Sequence, residues 1–403
     1  MDIGSTMVYF DANLVSSLMK VFVKTCLFFA LFPCLLWTCS PSGNSHQAGT
    51  HWEEIDLLQA TGFTLKKSGK NILVEVLAPF PNAKSTLRYL VLSEQDQALN
   101  TTEFDAVIHL PLNRVVLTST TQIPHLDLLG VSDYLSGFPN LDLISSETVR
   151  KRINAGEVLD LGNGPTSNLE KVVELDPDLI MLSTLGNDLD QLDLYKRAGI
   201  SAVINGDYVE ETPLGRAEWI KFSGALVGKL DKATAVFDSI SKSFTAAEDF
   251  INHHKLTKKP TVLTGVLYQD IWYAPGNKSW AAALLEAAGG QYVFQDLDGT
   301  GSLPLSYEYV LDQAQNADYW IGASDFANLS AMAEADQRYL AFDAFRNQNV
   351  FTYTQKKGEK GGLLYFELGY LRPDLVLLDL IKILHPDLVP DYELYFYTHM
   401  DEK

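Results

Sequence analysis

Four large aromatic residues, Tyr268, Trp272, Tyr273 and Trp280, fall within thirteen positions and are interleaved with Pro275 and Gly276. That composition predicts a wide apolar wall tipped with a few hydrogen-bonding groups, as small-molecule sites require. The competing expectation is a strand-and-helix core contact. Arg216 and Arg372 could meet an anionic ligand group, although arginines near helix starts more often pair with local carboxylates. Glu170 and Glu308 each open a predicted helix, one after Asn163-Gly164-Pro165 and the other after Leu303-Pro304-Leu305-Ser306-Tyr307. A carboxylate there complements the helix N-terminus by up to roughly 1 kcal/mol.

Other chemistries find less support. The eight histidines are scattered over the tether, the N-terminal part, the central helix and the C-terminal tail, with only His125 close after a strand. They do not supply the three or four convergent ligands of a bare metal site, so no metal centre is expected and His125 is predicted to pack locally. Cys26, Cys34 and Cys39 are followed by no further cysteine, which leaves the rest of the chain without a disulfide or thiolate site. No Gly-x-Ser-x-Gly elbow, phosphate-binding loop with Lys, or His-Glu-x-x-His occurs, and no enzymatic activity is expected. Gly361-Gly362, with Lys356, Lys357 and Lys360, is predicted to be a solvated turn.

Residues 52–113 contain short strand patterns, Phe63-Thr64-Leu65, Ile72 to Val76 and Leu87 to Leu92, with Lys67 to Asn71 as a turn, and hairpin pairing is the simplest arrangement. From Arg114 the texture changes. Val115-Val116-Leu117, Asp178 to Leu182 and Ala202-Val203-Ile204 alternate with helical patterns, which implies a mostly parallel sheet covered on both faces. Thr212 is placed as N-cap with Pro213 at the first helical position. From Asp231 to His254 the apolar residues Val236, Phe237, Ile240, Phe244, Ala247, Phe250 and Ile251 recur every three or four positions, a helix of about 36 Å. Lys258-Lys259-Pro260 stops it. Thr261 to Thr264, Asp318 to Gly322 and Asn349 to Tyr353 then predict the strands of a second α/β lobe. Ligands of doubly wound lobes contact loops at the carboxyl ends of strands. That rule nominates Thr118 to Gln122, including Thr120 and Thr121, then Asn163-Gly164, Thr184 to Asn187 and Asn205 to Tyr208, and in the second lobe Tyr268 to Asn277.

Of the 403 residues, 46% are hydrophobic and 20% charged, which excludes both a disordered chain and a polytopic membrane protein. The 31 Lys and Arg against 51 Asp and Glu give a net charge of -20, so nucleic-acid binding is not expected. Met19 to Trp37 carries two lysines and then an apolar run too short to span a bilayer comfortably, the layout of a secretory signal peptide. Met19 is itself a candidate start, since no basic stretch precedes it. The run ends at Leu36-Trp37-Thr38-Cys39-Ser40, which predicts lipidation at Cys39. A Ser/Gly/Asn-rich tether follows.

Val115 to Thr121 followed by His125 to Val131 and Tyr134 to Phe138 resembles the opening of periplasmic binding proteins that serve iron-complex and vitamin B12 ABC importers. Asn168 to Ile180 resembles a second signature of that family, and Glu211 to Phe222 and Phe366 to Asp374 resemble the branch common in Bacteroidetes. The resemblance runs from about Arg114 to the C-terminus. It implies two lobes bridged by one rigid helix with ligand in the cleft between them, and glutamates at the positions of Glu170 and Glu308 docking on arginine pockets of the permease.

The fold expected is therefore α/β: two doubly wound lobes joined by a long helix, with a small N-terminal β module. Its divisions are a signal peptide (1–39), a tether (40–51), the module (52–113), lobe one (114–230), the helix (231–256) and lobe two (257–403). The expected protein is a monomeric lipoprotein on the periplasmic face of a bacterial membrane. It would bind a metal chelate, a ferric siderophore or haem, through Thr120, Thr121, Tyr208, Arg216, Tyr268, Trp272, Tyr273 and Trp280, and pass it to an inner-membrane permease. Cobalamin is the alternative ligand. A surface lipoprotein that only scaffolds an outer-membrane complex, using the β module, is the alternative of another class. An open aromatic cleft would favour the importer and a filled one the scaffold.

Overall fold

A computed structural model describes residues 51–93, 101–162, 168–186, 189–254, 256 and 258–401. The leader, Cys39, nearly all of the tether, Asn163-Gly164-Pro165 and Asn187 lie outside the described residues.

Five strands come first: β1 (Glu53–Ile55), β2 (Phe63–Ser68), β3 (Asn71–Val76), β4 (Leu87–Leu92) and β5 (Ala106–His109). They form one sheet in sequence order, antiparallel except for β4 and β5. The β2–β3 turn opens on Gly69 at φ +61°, a region glycine enters without steric cost.

Lobe one is the parallel sheet of β6 (Val115–Leu117), β7 (Leu135–Phe138), β8 (Leu159–Asp160), β9 (Leu179–Leu182) and β10 (Ala202–Ile204), in the order β10-β9-β6-β7-β8. Its helices are α1 (Ile123–Leu129), α2 (Glu147–Asn154), α3 (Leu169–Leu175), α4 (Asp190–Arg197) and α5 (Pro213–Leu226). Strand side chains alternate between faces. Val115, Leu117, Leu179, Met181 and Val203 accordingly enter one core, and Val116, Ile180, Leu182, Ala202 and Ile204 the core on the other side.

The first core also holds Phe63, Leu65, Val74, Val76, Tyr89 and Val91, so the N-terminal sheet has no core apart from lobe one. Two carboxylates tie it to the start of α5. Glu218, fully buried, accepts the backbone N–H groups of Leu58, Gln59 and Ala60 at 2.6–2.9 Å and the Lys221 ammonium at 2.6 Å. Glu210 accepts the N–H groups of Thr61 and Gly62 and the Trp219 indole N–H. Both acids belong to or adjoin the Glu211 to Phe222 stretch, so that motif is first of all an anchor.

The linking helix α6 (Leu230–His253) runs 24 residues. Ala233, Phe237 and Ile240 pack into the first core, and Phe244, Ala247 and Ile251 into the second. Lobe two contains β11 (Thr261–Leu263), β12 (Val266–Tyr268), β13 (Ile271–Pro275), β14 (Gln291–Tyr292), β15 (Ser302–Ser306), β16 (Tyr319–Ile321), β17 (Val350–Thr352) and β18 (Thr398–His399). Its main sheet is ordered β14-β11-β16-β17-β18, parallel until the antiparallel edge strand β18, and β12-β13-β15 form a separate antiparallel sheet. The helices are α7 (Trp280–Ala287), α8 (Tyr307–Ala314), α9 (Leu329–Ala335), α10 (Asp343–Arg346), α11 (Leu364–Leu368) and α12 (Pro373–Leu384). Two α/β lobes joined by one long helix are thus what the chain builds.

The expected loop at Tyr268 to Asn277 is corrected. It is mostly a hairpin, whose turn places Gln269 and Asp270 at φ +50° and +64° without any glycine.

Candidate functional site

Where the strand ends of the two lobes face each other, a cleft of about 410 Å3 opens. Lobe one contributes Tyr208, Glu210 and Arg216. Tyr208 sits in the turn after β10, and Arg216 sits in the first turn of α5, which Thr212 caps by accepting the Gly215 N–H at 3.0 Å. Lobe two contributes Tyr273 and Pro275 from β13, Trp280 from the start of α7, Gly322 and Tyr353 from the ends of β16 and β17, and Tyr365, Phe366 and Tyr370 from α11 and the residues after it. The Arg216 guanidinium lies over the Tyr370 ring, 3.7 Å from its centroid, and 5.8 Å from that of Tyr208. It makes no hydrogen bond or ion pair with the described residues. The Trp280 ring packs on Tyr370 at 4.9 Å, and its buried indole N–H has no partner either. Asp207, buried beside Tyr208, has its carboxyl pushed up by desolvation while the Arg216 charge pulls it back. Burial likewise raises Tyr353 to about 12, so its hydroxyl is held as a neutral group. The cleft is therefore an aromatic slot with unengaged N–H and O–H donors, able to grip a flat or bulky ligand by stacking and by its oxygen atoms.

On the other side of α11 the lobes touch. Glu367, 3% exposed, accepts the N–H groups of Ser145 and Ser146 at 2.5 and 2.7 Å, capping α2 of the opposite lobe. Burial pushes its carboxyl up to about 7 against the pull of those two amides. A Cβ on Gly358 would fall 2.6 Å from the Ser145 Cα, and one on Gly362 would overlap the Leu143 carbonyl oxygen. The turn keeps Lys357, Lys360 and Gly361 exposed to solvent as expected, while Gly358 and Gly362 let two backbones meet across the junction. A recess of about 960 Å3 lies alongside, lined by Asp127, Glu147, Glu359 and Glu367 against Arg150, Lys151, Lys356 and Lys357, a balanced charged surface to which Tyr395 adds a single ring among the described residues.

Of the expected ligand contacts, Tyr208, Arg216, Tyr273 and Trp280 meet in the aromatic cleft. Trp272 does not, and is corrected to a core residue. It is fully buried, donates its indole N–H to the Thr264 carbonyl at 2.8 Å, and packs on Trp320, Tyr339 and Phe342. The cause is strand alternation, which turns Tyr273 out and Trp272 in. Tyr268, 63% exposed at the hairpin tip, lies outside the cleft lining. Thr120 and Thr121 are also outside it, in a short turn against which α11 packs. Arg372 pairs with Asp374 at 2.8 Å. His125 is buried, 2.7 Å from the Ser223 hydroxyl, and burial lowers it to about 4. Glu170 and Glu308 stand exposed in the first turns of α3 and α8. Among the described residues no cluster of three metal-ligating side chains occurs, and no helix is long and apolar enough to cross a membrane. Gly322 and Tyr353 were missed, although both follow strands and the strand-end rule, carried through lobe two, reaches them.

The family model described as periplasmic binding protein matches residues 115–356, from β6 through α6 to the loop after β17. A protein of Methanocaldococcus jannaschii described as an uncharacterized lipoprotein is 31% identical over 301 residues, covering 72% of this chain and 69% of that one. CeuE of Helicobacter pylori, solved with Ni(II) bound, superposes with a TM-score of 0.54 at 16% identity over 71% of this chain and 88% of that one. The periplasmic heme-binding protein RhuT of Roseiflexus sp. gives 0.50 at 16% identity over 68% and 100%. These two show a shared fold. Matched across both lobes and the helix between them, the chain belongs to the periplasmic binding protein family.

Proposed function

We propose that this protein captures a metal chelate, a ferric siderophore or haem, in the aromatic cleft and delivers it to an inner-membrane ABC permease. The observation that carries the proposal is the open slot of Tyr208, Tyr273, Trp280, Tyr353 and Tyr370 around an uncommitted Arg216; a scaffold has no use for unpaired donors inside a cleft. The Ni(II) and heme named for two structural neighbours support a chelate as the ligand class. Cys39 would carry a lipid holding the protein at the membrane, and Glu170 and Glu308, one per lobe, would meet the permease. Native mass spectrometry of the protein incubated in parallel with haem, cyanocobalamin and ferric siderophores tests the binding reading. Retention of one chelate at 1:1 is expected, and retention of none overturns it. For delivery, Glu170→Arg with Glu308→Arg should abolish uptake while leaving chelate binding intact, since loss of a desolvated charge pair costs about 2 to 5 kcal/mol.

A further inference from the structure

Charge is sparse in the cleft. Among its described lining residues only Glu210 and Arg216 are ionic, and they cancel. Glu210 is already engaged by Thr61, Gly62 and Trp219, so its charge is fixed in place beside the slot. Asp207 lies buried next to Tyr208, and desolvation pushes its carboxyl up while the Arg216 charge pulls it down. Arg216 brings a set of unused N–H donors on an aromatic cushion, and the other ionic group among the described lining residues, Glu210, has the opposite sign. The remaining unpaired groups are neutral: the Trp280 N–H and the hydroxyls of Tyr208, Tyr273, Tyr353 and Tyr370, none hydrogen-bonded to a described residue. Outside, the chain carries a net charge of -20, which opposes the approach of any polyanion.

We infer that the cleft selects a metal chelate of net charge near zero, whose periphery presents amide or hydroxamate carbonyl oxygens to Arg216 and Trp280, and discriminates against polyanionic chelates. The inference rests on the chelate-binding reading above and narrows it. A ferric tris-catecholate carries three negative charges that this lining cannot neutralise, so burying it would strip water from charge without replacement. A neutral ferric tris-hydroxamate or a corrinoid with amide side chains keeps its carbonyl acceptors matched by the donors present and its apolar surface against tyrosine rings.

The test is a calorimetric titration of the full chain at low salt with five probes: a neutral ferric tris-hydroxamate, cyanocobalamin, a ferric tris-catecholate, haem and haem dimethyl ester. At least one of the two neutral amide-type probes should bind a hundredfold or more tighter than the tris-catecholate, and the ester should bind no more weakly than haem. Arg216→Gln, a partly exposed position, should weaken the neutral probe about tenfold. Equal or tighter binding of the tris-catecholate by the wild type overturns the inference whatever the variant does. So does a tenfold preference for haem over its ester. If no probe binds, the chelate-binding reading itself falls, a result separate from a wrong charge preference.

Discussion

The two sides of α11 solve opposite problems with the same kind of backbone. Tyr365 and Phe366 look into the aromatic cleft, while Leu364, Glu367 and Leu368 look toward the contact between lobes. In the cleft, large side chains keep the lobes apart and leave polar atoms unpaired. At the contact, Gly358 and Gly362 let the backbones meet, and one carboxylate uses both its oxygens on amides of the other lobe. Buried polar groups are nearly always satisfied, so the open Arg216 and Trp280 N–H groups in the cleft stand ready for a ligand, whereas Glu367, with both oxygens engaged, acts as a fastening. With α6 packed into both cores, a fastening beside the cleft implies small lobe movement on binding.

The largest effect that would test this contrast lies under the cleft wall. Trp272→Ala should lose about 3–5 kcal/mol of stability as a large buried ring leaves a cavity, read as a fall in the denaturation midpoint. Its neighbour Tyr273→Ala should cost little stability and instead lower chelate affinity about thirtyfold, near 2 kcal/mol. If the two variants behave alike, the division between core and wall along β13 is wrong.

Next in size is the fastening. Gly362→Val drives a side chain into the Leu143 carbonyl and should cost about 1–3 kcal/mol, with increased scattering radius as the lobes part. An unaltered radius would mean that other contacts set the lobe distance.

That these two regions differ was only partly visible in the residues. The short apolar runs at Val115, Ala202 and Val350 and the long periodic stripe of α6 are local patterns, so two lobes and a connecting helix could be inferred from spacing. The aromatic cluster was found but not divided, because the Gln269-Asp270 turn has no glycine to announce a hairpin, and without a hairpin there is no alternation to separate Trp272 from Tyr273. Glu367 meets Ser145 across 222 positions, and Glu218 meets Leu58 across 160. Nothing within a local window links partners so far apart, and a Gly-Gly pair preceded by lysines looks like a solvent turn until the opposing backbone is known.

A smaller, pH-dependent effect sharpens the fastening further. Glu367 titrates near 7 in the folded protein against about 4.3 for a free glutamate. A raised carboxyl pKa means that the folded state holds its proton more tightly, so this group's stabilisation is fully present below about pH 4 and is lost as pH rises through 7. Stability measured against Glu367→Gln should therefore show the wild type declining more steeply between pH 5 and 8. Parallel curves would show that the two amide hydrogen bonds hold the carboxylate ionised throughout.

The claim that everything else depends on is that the ligand sits on the aromatic side of α11. Hydrogen exchange of the backbone, with and without the chelate that mass spectrometry retains most strongly, reads this directly. Slowed exchange is expected in segments 206–216, 264–275 and 365–371, with Ser145 to Arg150 unchanged. Slowing confined to Ser145 to Arg150 and Gln355 to Glu359 would place the ligand in the charged recess and contradict it.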